Sequence, residues 1–171
     1  MRWAAAALLS LALAGPAQAL PLRPAHAHHR LGNERLSNER TLTRVARPYY
    51  RATIRRRPRA DAKAVGRLHY HTEDGPLEVY LALRSAVTRH HLTWIRVRIP
   101  GRPNGRTGWV PRAALGPFVV RFTSLRIDRT RLRATLRRRG KRIWRAPIGI
   151  GAPATPTPGG RYWIRERLRA L

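Results

Sequence analysis

The segment Trp94-Ile95-Arg96-Val97-Arg98-Ile99 alternates. A strand puts Ile95, Val97 and Ile99 on one face and Trp94, Arg96 and Arg98 on the other. From Tyr49 onward the chain is built of such short runs, each bounded by turn residues. They predict strands over residues 51–55, 65–71, 77–83, 92–99 and 107–111. Pro58, Gly66, Gly75-Pro76, Gly101 and Pro103-Asn104-Gly105 punctuate them. Asn104-Gly105 suits a tight turn because both residues tolerate positive φ. Five short strands at this spacing predict a small closed barrel over residues 48–116, since closure hides the edges.

Gly116-Pro117 separates a second β region, residues 117–171. It opens on the apolar run Phe118-Val119-Val120. Phe122, Ser124, Arg126 and Asp128 then alternate against Leu125 and Ile127. Asp128-Arg129-Thr130 reads as a turn, Leu132, Ala134 and Leu136 recur at period two, and Arg138-Arg139-Gly140-Lys141 is a second turn. Ile143-Trp144-Arg145-Ala146 continues the pattern, and a further strand is expected over 161–166. The whole predicts a meander with one apolar face. In Thr155-Pro156-Thr157-Pro158 two prolines fix φ and remove donors, which makes a stiff extended loop.

The N-terminus is of another kind. Met1-Arg2 is a short positive start, and residues 3–14 form an apolar run. Gly15-Pro16 breaks it, and Ala17-Gln18-Ala19 offers a small-x-small cleavage pattern. This predicts a signal peptide over residues 1–19 and an exported chain, in the periplasm or cell wall. No apolar run reaches the ~18 residues of a spanning helix, so no transmembrane segment is expected in the mature chain. Residues 20–47 hold Pro21, Pro24, the histidines His26, His28 and His29, and the near-repeat Leu31-Gly32-Asn33-Glu34-Arg35 / Leu36-Ser37-Asn38-Glu39-Arg40. Their apolar spacing is poor, which predicts a flexible linker.

Charge and cysteine count bound the function. The formal net charge is +28, from 36 basic and 8 acidic residues, and only Lys63 and Lys141 among the basic residues are lysine. Such a chain suits a polyanion: nucleic acid, acidic wall polymer or anionic lipid. Arginine spread from Arg2 to Arg169 is also what a compositional bias toward Arg, Ala, Gly and Pro produces. The chain has no cysteine. That excludes disulfides, thiolate metal sites and a cysteine nucleophile within these residues.

Two stretches carry a family resemblance. The run from Trp94 to Val110, with Gly108-Trp109-Val110 closing it, resembles the last strands of a bacterial Src-homology-3-type barrel. Trp94 and Trp109 then serve either as core or rim packing or as an aromatic groove for wall peptide or glycan. The segment Gly149-Ile150-Gly151 through Thr155-Pro156, Gly159 and Tyr162-Trp163-Ile164 resembles the L,D-transpeptidase (YkuD-like) catalytic domain. The hairpin from Leu125-Arg126-Ile127-Asp128 to Leu132 and the Gly140-Lys141 turn precede it in the family's order. Gly159 departs from the larger residue more usual there.

The resemblance implies a small barrel followed by an incomplete β-sandwich-like catalytic domain. It also implies an activity, acyl transfer on peptidoglycan stem peptides by a cysteine with a histidine base. Neither the histidine nor the cysteine segment of that family is present. All seven histidines lie at or before His91. The expectation is therefore a truncated, inactive N-terminal portion with no catalytic, cofactor-binding or metal-binding residue and no cofactor. Its partners are peptidoglycan stem peptides or anionic cell-wall polymers, with no specific nucleic acid. A non-catalytic cell-wall-binding module and a basic polyanion-binding protein are the other two readings. His69, His71, His90 and His91 read as exposed or satisfied side chains.

Overall fold

The computed structural model describes residues 32–166. The expected signal peptide, the His26, His28 and His29 cluster and residues 167–171 lie outside the described residues. The described residues are mainly β, in two antiparallel sheets.

The first sheet contains β1 (Thr43–Ala46), β2 (Thr53–Arg55), β3 (Ala64–Arg67), β4 (Tyr80–Val87), β5 (Thr93–Arg98), β6 (Thr107–Pro111) and β7 (Val119–Arg121). Their order across the sheet is β3-β2-β6-β5-β4-β1-β7. The five expected strands are β2 to β6. In β5 the alternation holds from Ile95 to Val97, with Ile95 and Val97 fully buried and Arg96 exposed, while Trp94, expected on the face of Arg96, is buried as well. Leu36, Ile54, Leu68, Tyr80, Val97 and Val110 belong to one buried cluster, so the sheet curls around a shared core. The Tyr80 hydroxyl accepts the His69 backbone N–H at 2.9 Å, and burial pushes the Tyr80 phenol above its ordinary pKa.

The sheet does not close into the expected barrel; β3 and β7 are two free edges. The cause lies on the outer side of β4. β1 pairs there, with Arg44 opposite Ala82, and β7 then pairs with β1, with Arg44 opposite Val120. Both added strands come from outside residues 48–116, so the sheet runs on past the point where a barrel would close.

The linker expectation for 20–47 is corrected over residues 32–47, which fold onto β4. Arg35 bridges to Arg84, and the Ser85 N–H donates to the Glu34 carbonyl at 2.9 Å. Leu36 is fully buried. The next residues form a turn held by side chains. Asn38 Oδ1 accepts the N–H groups of Arg40, Thr41 and Leu42, each at 2.9 Å. Glu39 takes a left-handed φ of 56°, and its carboxylate receives Arg98 Nε at 3.0 Å and Nη2 at 2.7 Å. Asparagine makes this local bond readily, which is why it favours turns.

The second sheet is the expected meander: β8 (Thr123–Asp128), β9 (Arg133–Arg138) and β10 (Lys141–Pro147), in the order β10-β9-β8. Asp128 Oδ1 accepts the Arg131 N–H at 2.9 Å in the first turn. Arg139 and Gly140, with φ of 50° and 82°, make the second. Two consecutive left-handed residues match the twist of a two-residue hairpin. The single run expected over 118–128 is split at Phe122 between the two sheets. Residues 161–166, expected as a strand, belong to neither sheet.

Candidate functional site

The residues singled out by resemblance or residue type do not converge. Trp94 is buried, and Trp109 is half-buried opposite Arg96 on β5. They do not form an open aromatic groove, and the packing reading of Trp94 holds. His69, His71, His90 and His91 are all exposed. His71 Nδ1 lies 2.7 Å from the Gly75 carbonyl oxygen, and none of the four sits in a cluster with acids that could hold a metal among the described residues. An open recess of about 520 Å3 lies where β7 gives way to β8, lined by Val120, Arg121, Phe122, Thr123, Arg138 and Arg139. It presents arginines and an aromatic ring, with Arg139 stacked 4.9 Å from the Phe122 centroid, and no nucleophile paired with a base.

Two arrangements do bring charged groups together. The first is the meander itself. Register places Leu125, Leu136 and Trp144 in one row across the strands, and Ile127, Ala134 and Ala146 in the next. Side chains directly opposite share a face, so this face is apolar. The other face carries Ser124, Arg137 and Arg142 in one row, Arg126, Thr135 and Arg145 in the next, and Asp128, Arg133 and Pro147 in the third. A bulge between Arg142 and Trp144 resets the alternation on β10, which keeps Arg142 and Arg145 on the same side. Partial desolvation, then the charges of Arg133, Arg142 and Arg131, draws the Arg145 guanidinium below its ordinary pKa.

The second arrangement joins the C-terminal tail to the first sheet. Arg165 Nε donates to Glu78 Oε1 at 2.9 Å, and its Nη2 donates both to Glu78 Oε2 and to Glu73 Oε2, the latter at 2.9 Å. Glu78 is almost wholly buried, with 3% of its side chain exposed. The hydrogen bond to Glu78 raises the Arg165 pKa. Trp163 Nε1 donates to the Val79 carbonyl at 2.7 Å, and Thr72 Oγ1 donates to Glu166 at 2.5 Å. Asn104 Nδ2 donates to the Arg161 carbonyl at 3.2 Å. Sequence reasoning missed this cluster. Glu78 and Arg165 are 87 residues apart, and neither carries a motif.

The Gly149 to Ile164 run, the strongest family-like stretch, is a loop folded on its own side chains. The Gly151 N–H donates to Thr157 Oγ1 at 2.8 Å, and Arg129 Nη1 donates to the Thr157 carbonyl at 2.7 Å. The Thr155 N–H donates to the Ala152 carbonyl at 2.9 Å. A turn at 152–155 therefore precedes the segment Thr155-Pro156-Thr157-Pro158 that the prolines predict to be extended, and residues 156–158 form no turn. Chemically, the described surface offers guanidinium donors and buried ion pairs. What fold and surface define together is a strongly basic, mainly β chain of two antiparallel sheets. No family model, curated protein or solved structure matches the chain. No helix among the described residues is long and apolar enough to cross a membrane.

Proposed function

We propose that this chain is an exported cell-wall protein of the L,D-transpeptidase type, acting in peptidoglycan cross-linking and remodelling and non-catalytic by itself. The observation that carries the reading is the ordered run from Leu125 through Gly140-Lys141 to Gly149, Thr155-Pro156 and Tyr162-Trp163-Ile164. A signal-like start and a preceding β module agree with it. Chemistry limits it. Acyl transfer of this kind needs a thiolate, and the 171 residues contain no cysteine. Free serine and threonine hydroxyls are far weaker nucleophiles at neutral pH. The role open to these residues is therefore to hold wall material rather than to cut or join it.

The test has two parts. Retention on purified peptidoglycan, stripped of attached phosphate polymers, is the expected result. Mass spectrometry after incubation with a carbapenem should show no covalent adduct. A chain that passes unretained overturns the wall-binding role, and a stable adduct on any residue overturns the non-catalytic one.

A further inference from the structure

We infer that the arginine face of the β8–β10 meander is a binding surface for a linear phosphodiester polymer that carries no bases. The inference takes its polymer source from the wall-side reading above. The observations belong to the surface alone. Arg126, Arg137, Arg142 and Arg145 are exposed on one face, with Arg133 half-buried among them. The one acid on that face, Asp128, is engaged by Arg131 at 3.3 Å. A compositional excess of arginine would load both faces alike. Here the central rows of the opposite face are apolar, and Arg138 and Lys141 stand only at its end. The segregation belongs to the pattern of the strands.

Five guanidinium groups in adjoining rows repel one another. Along a strand, same-face neighbours are about 7 Å apart, and adjacent strands are about 4.8 Å apart. Those separations lie inside the ~8–10 Å over which salt screens charge. Repulsion on this scale is relieved by a ligand that brings several anions at once. The guanidinium fork suits phosphate oxygens, which it meets with two parallel donors.

The shape of the surface chooses among phosphate polymers. It is a three-stranded sheet face, wider than the single helix or two-stranded ribbon that the major groove admits. None of its positions is aromatic, because Trp144 points to the other side. Single-stranded nucleic acids are held through base stacking on aromatic rings. A surface that offers only guanidinium groups reads phosphates and nothing between them.

The experiment measures binding of the full chain to poly(glycerol phosphate) across a salt series, with a 20-base-pair DNA duplex as comparison. The triple variant R126Q/R142Q/R145Q should bind the polymer about tenfold more weakly, and its salt dependence should be shallower, because fewer counterions are released. A control of equal charge, R57Q/R67Q/R89Q, alters exposed arginines elsewhere and should lose less than about threefold. The charge-preserving R126K/R142K/R145K keeps the charge but gives up the paired donors, so it should lose only about threefold, clearly less than the Gln triple, which separates lost charge from lost fold. Equal losses in the two Gln triples would overturn the inference, since charge alone would explain them. Equal losses in the Gln and Lys triples at positions 126, 142 and 145 would also overturn it. So would tighter binding of the duplex than of the polymer at matched salt. The peptidoglycan test above uses phosphate-stripped wall and this one uses no peptidoglycan, so either can fail without the other.

Discussion

The two sheets bury their apolar residues differently, although the same alternating pattern built both. In the first sheet Leu36, Ile54, Leu68, Ile95, Val97 and Val110 have no exposed surface. In the meander only Ala134 is buried among the apolar residues, while Leu125 is 55% exposed and Trp144 49%. The difference lies in partners, not in strand chemistry. The first sheet curls, so that β2, β4, β5 and β6 face one another across a common core. The meander has three strands, and among the described residues Leu125, Ile127 and Trp144 on its apolar face stay open to solvent. Three strands with an apolar face are about the least that stands alone, so the meander sits near that threshold. Alternation thus tells which side of a strand is apolar, and tertiary contact decides whether that side is dry.

The largest expected effect tests this contrast directly. Ile95→Ala removes a fully buried side chain from the centre of the first sheet. It should cost about 3–4 kcal/mol, the transfer term plus the cavity left behind. Denaturant unfolding followed by tryptophan fluorescence measures it. A loss below about 1 kcal/mol would mean that the first sheet is no better packed than the meander.

A smaller effect concerns the tail that ties the two halves together. Arg165→Ala leaves Glu78 buried and without its guanidinium. Breaking a buried pair by removing one partner costs roughly 3 kcal/mol, and the partial exposure of Arg165 brings the expectation to about 2. The variant should unfold earlier in denaturant. Exchange of the Trp163 indole N–H, which donates to the Val79 carbonyl, should also quicken. If exchange quickens while stability is unchanged, the tail is an appendage of the first sheet rather than part of its cooperative unit.

How far the sequence foretold this depends on how local each signal is. The strands β2 to β6 and the β8–β10 meander were legible, because period two within a run and Gly or Asn between runs are short-range facts. β1 was not. Thr43-Arg44-Val45-Ala46 offers too few apolar positions for a period to show. Its partners on β4 are residues 80–82, more than 30 positions away. Leu36 looked like one half of a polar repeat and proved to be core, because Asn38 and Glu39 turn the chain behind it. Barrel closure failed for the same reason: it depends on which strand takes the free side of β4, a choice made at long range. The arginine face was hidden by the bulge on β10, since strict alternation puts Arg142 and Trp144 on one side. The Glu78–Arg165 pair had no local signal at all.

The smallest expected effect sharpens the contrast from the meander's side. Leu125 is exposed and stands in a row with Leu136 and Trp144. Leu125→Thr puts a β-branched residue, which suits a strand, in place of leucine and removes apolar surface that is already wet. Full burial of a leucine side chain is worth ~1.5–3 kcal/mol, but here little of that is realised. The substitution should therefore shift stability by no more than about 0.5 kcal/mol, as surface changes usually do. Its measurable consequence lies in solution behaviour. Exposed apolar faces beside free edges invite association, and β8 and β10 are both edges of their sheet. Light scattering at rising protein concentration should show less self-association for Leu125→Thr than for the parent chain. A stability loss of 2 kcal/mol or more, on the scale of a buried leucine, would show that the apolar face is covered in solution. The two sheets would then bury their apolar faces to a similar extent, and the contrast between them would fall.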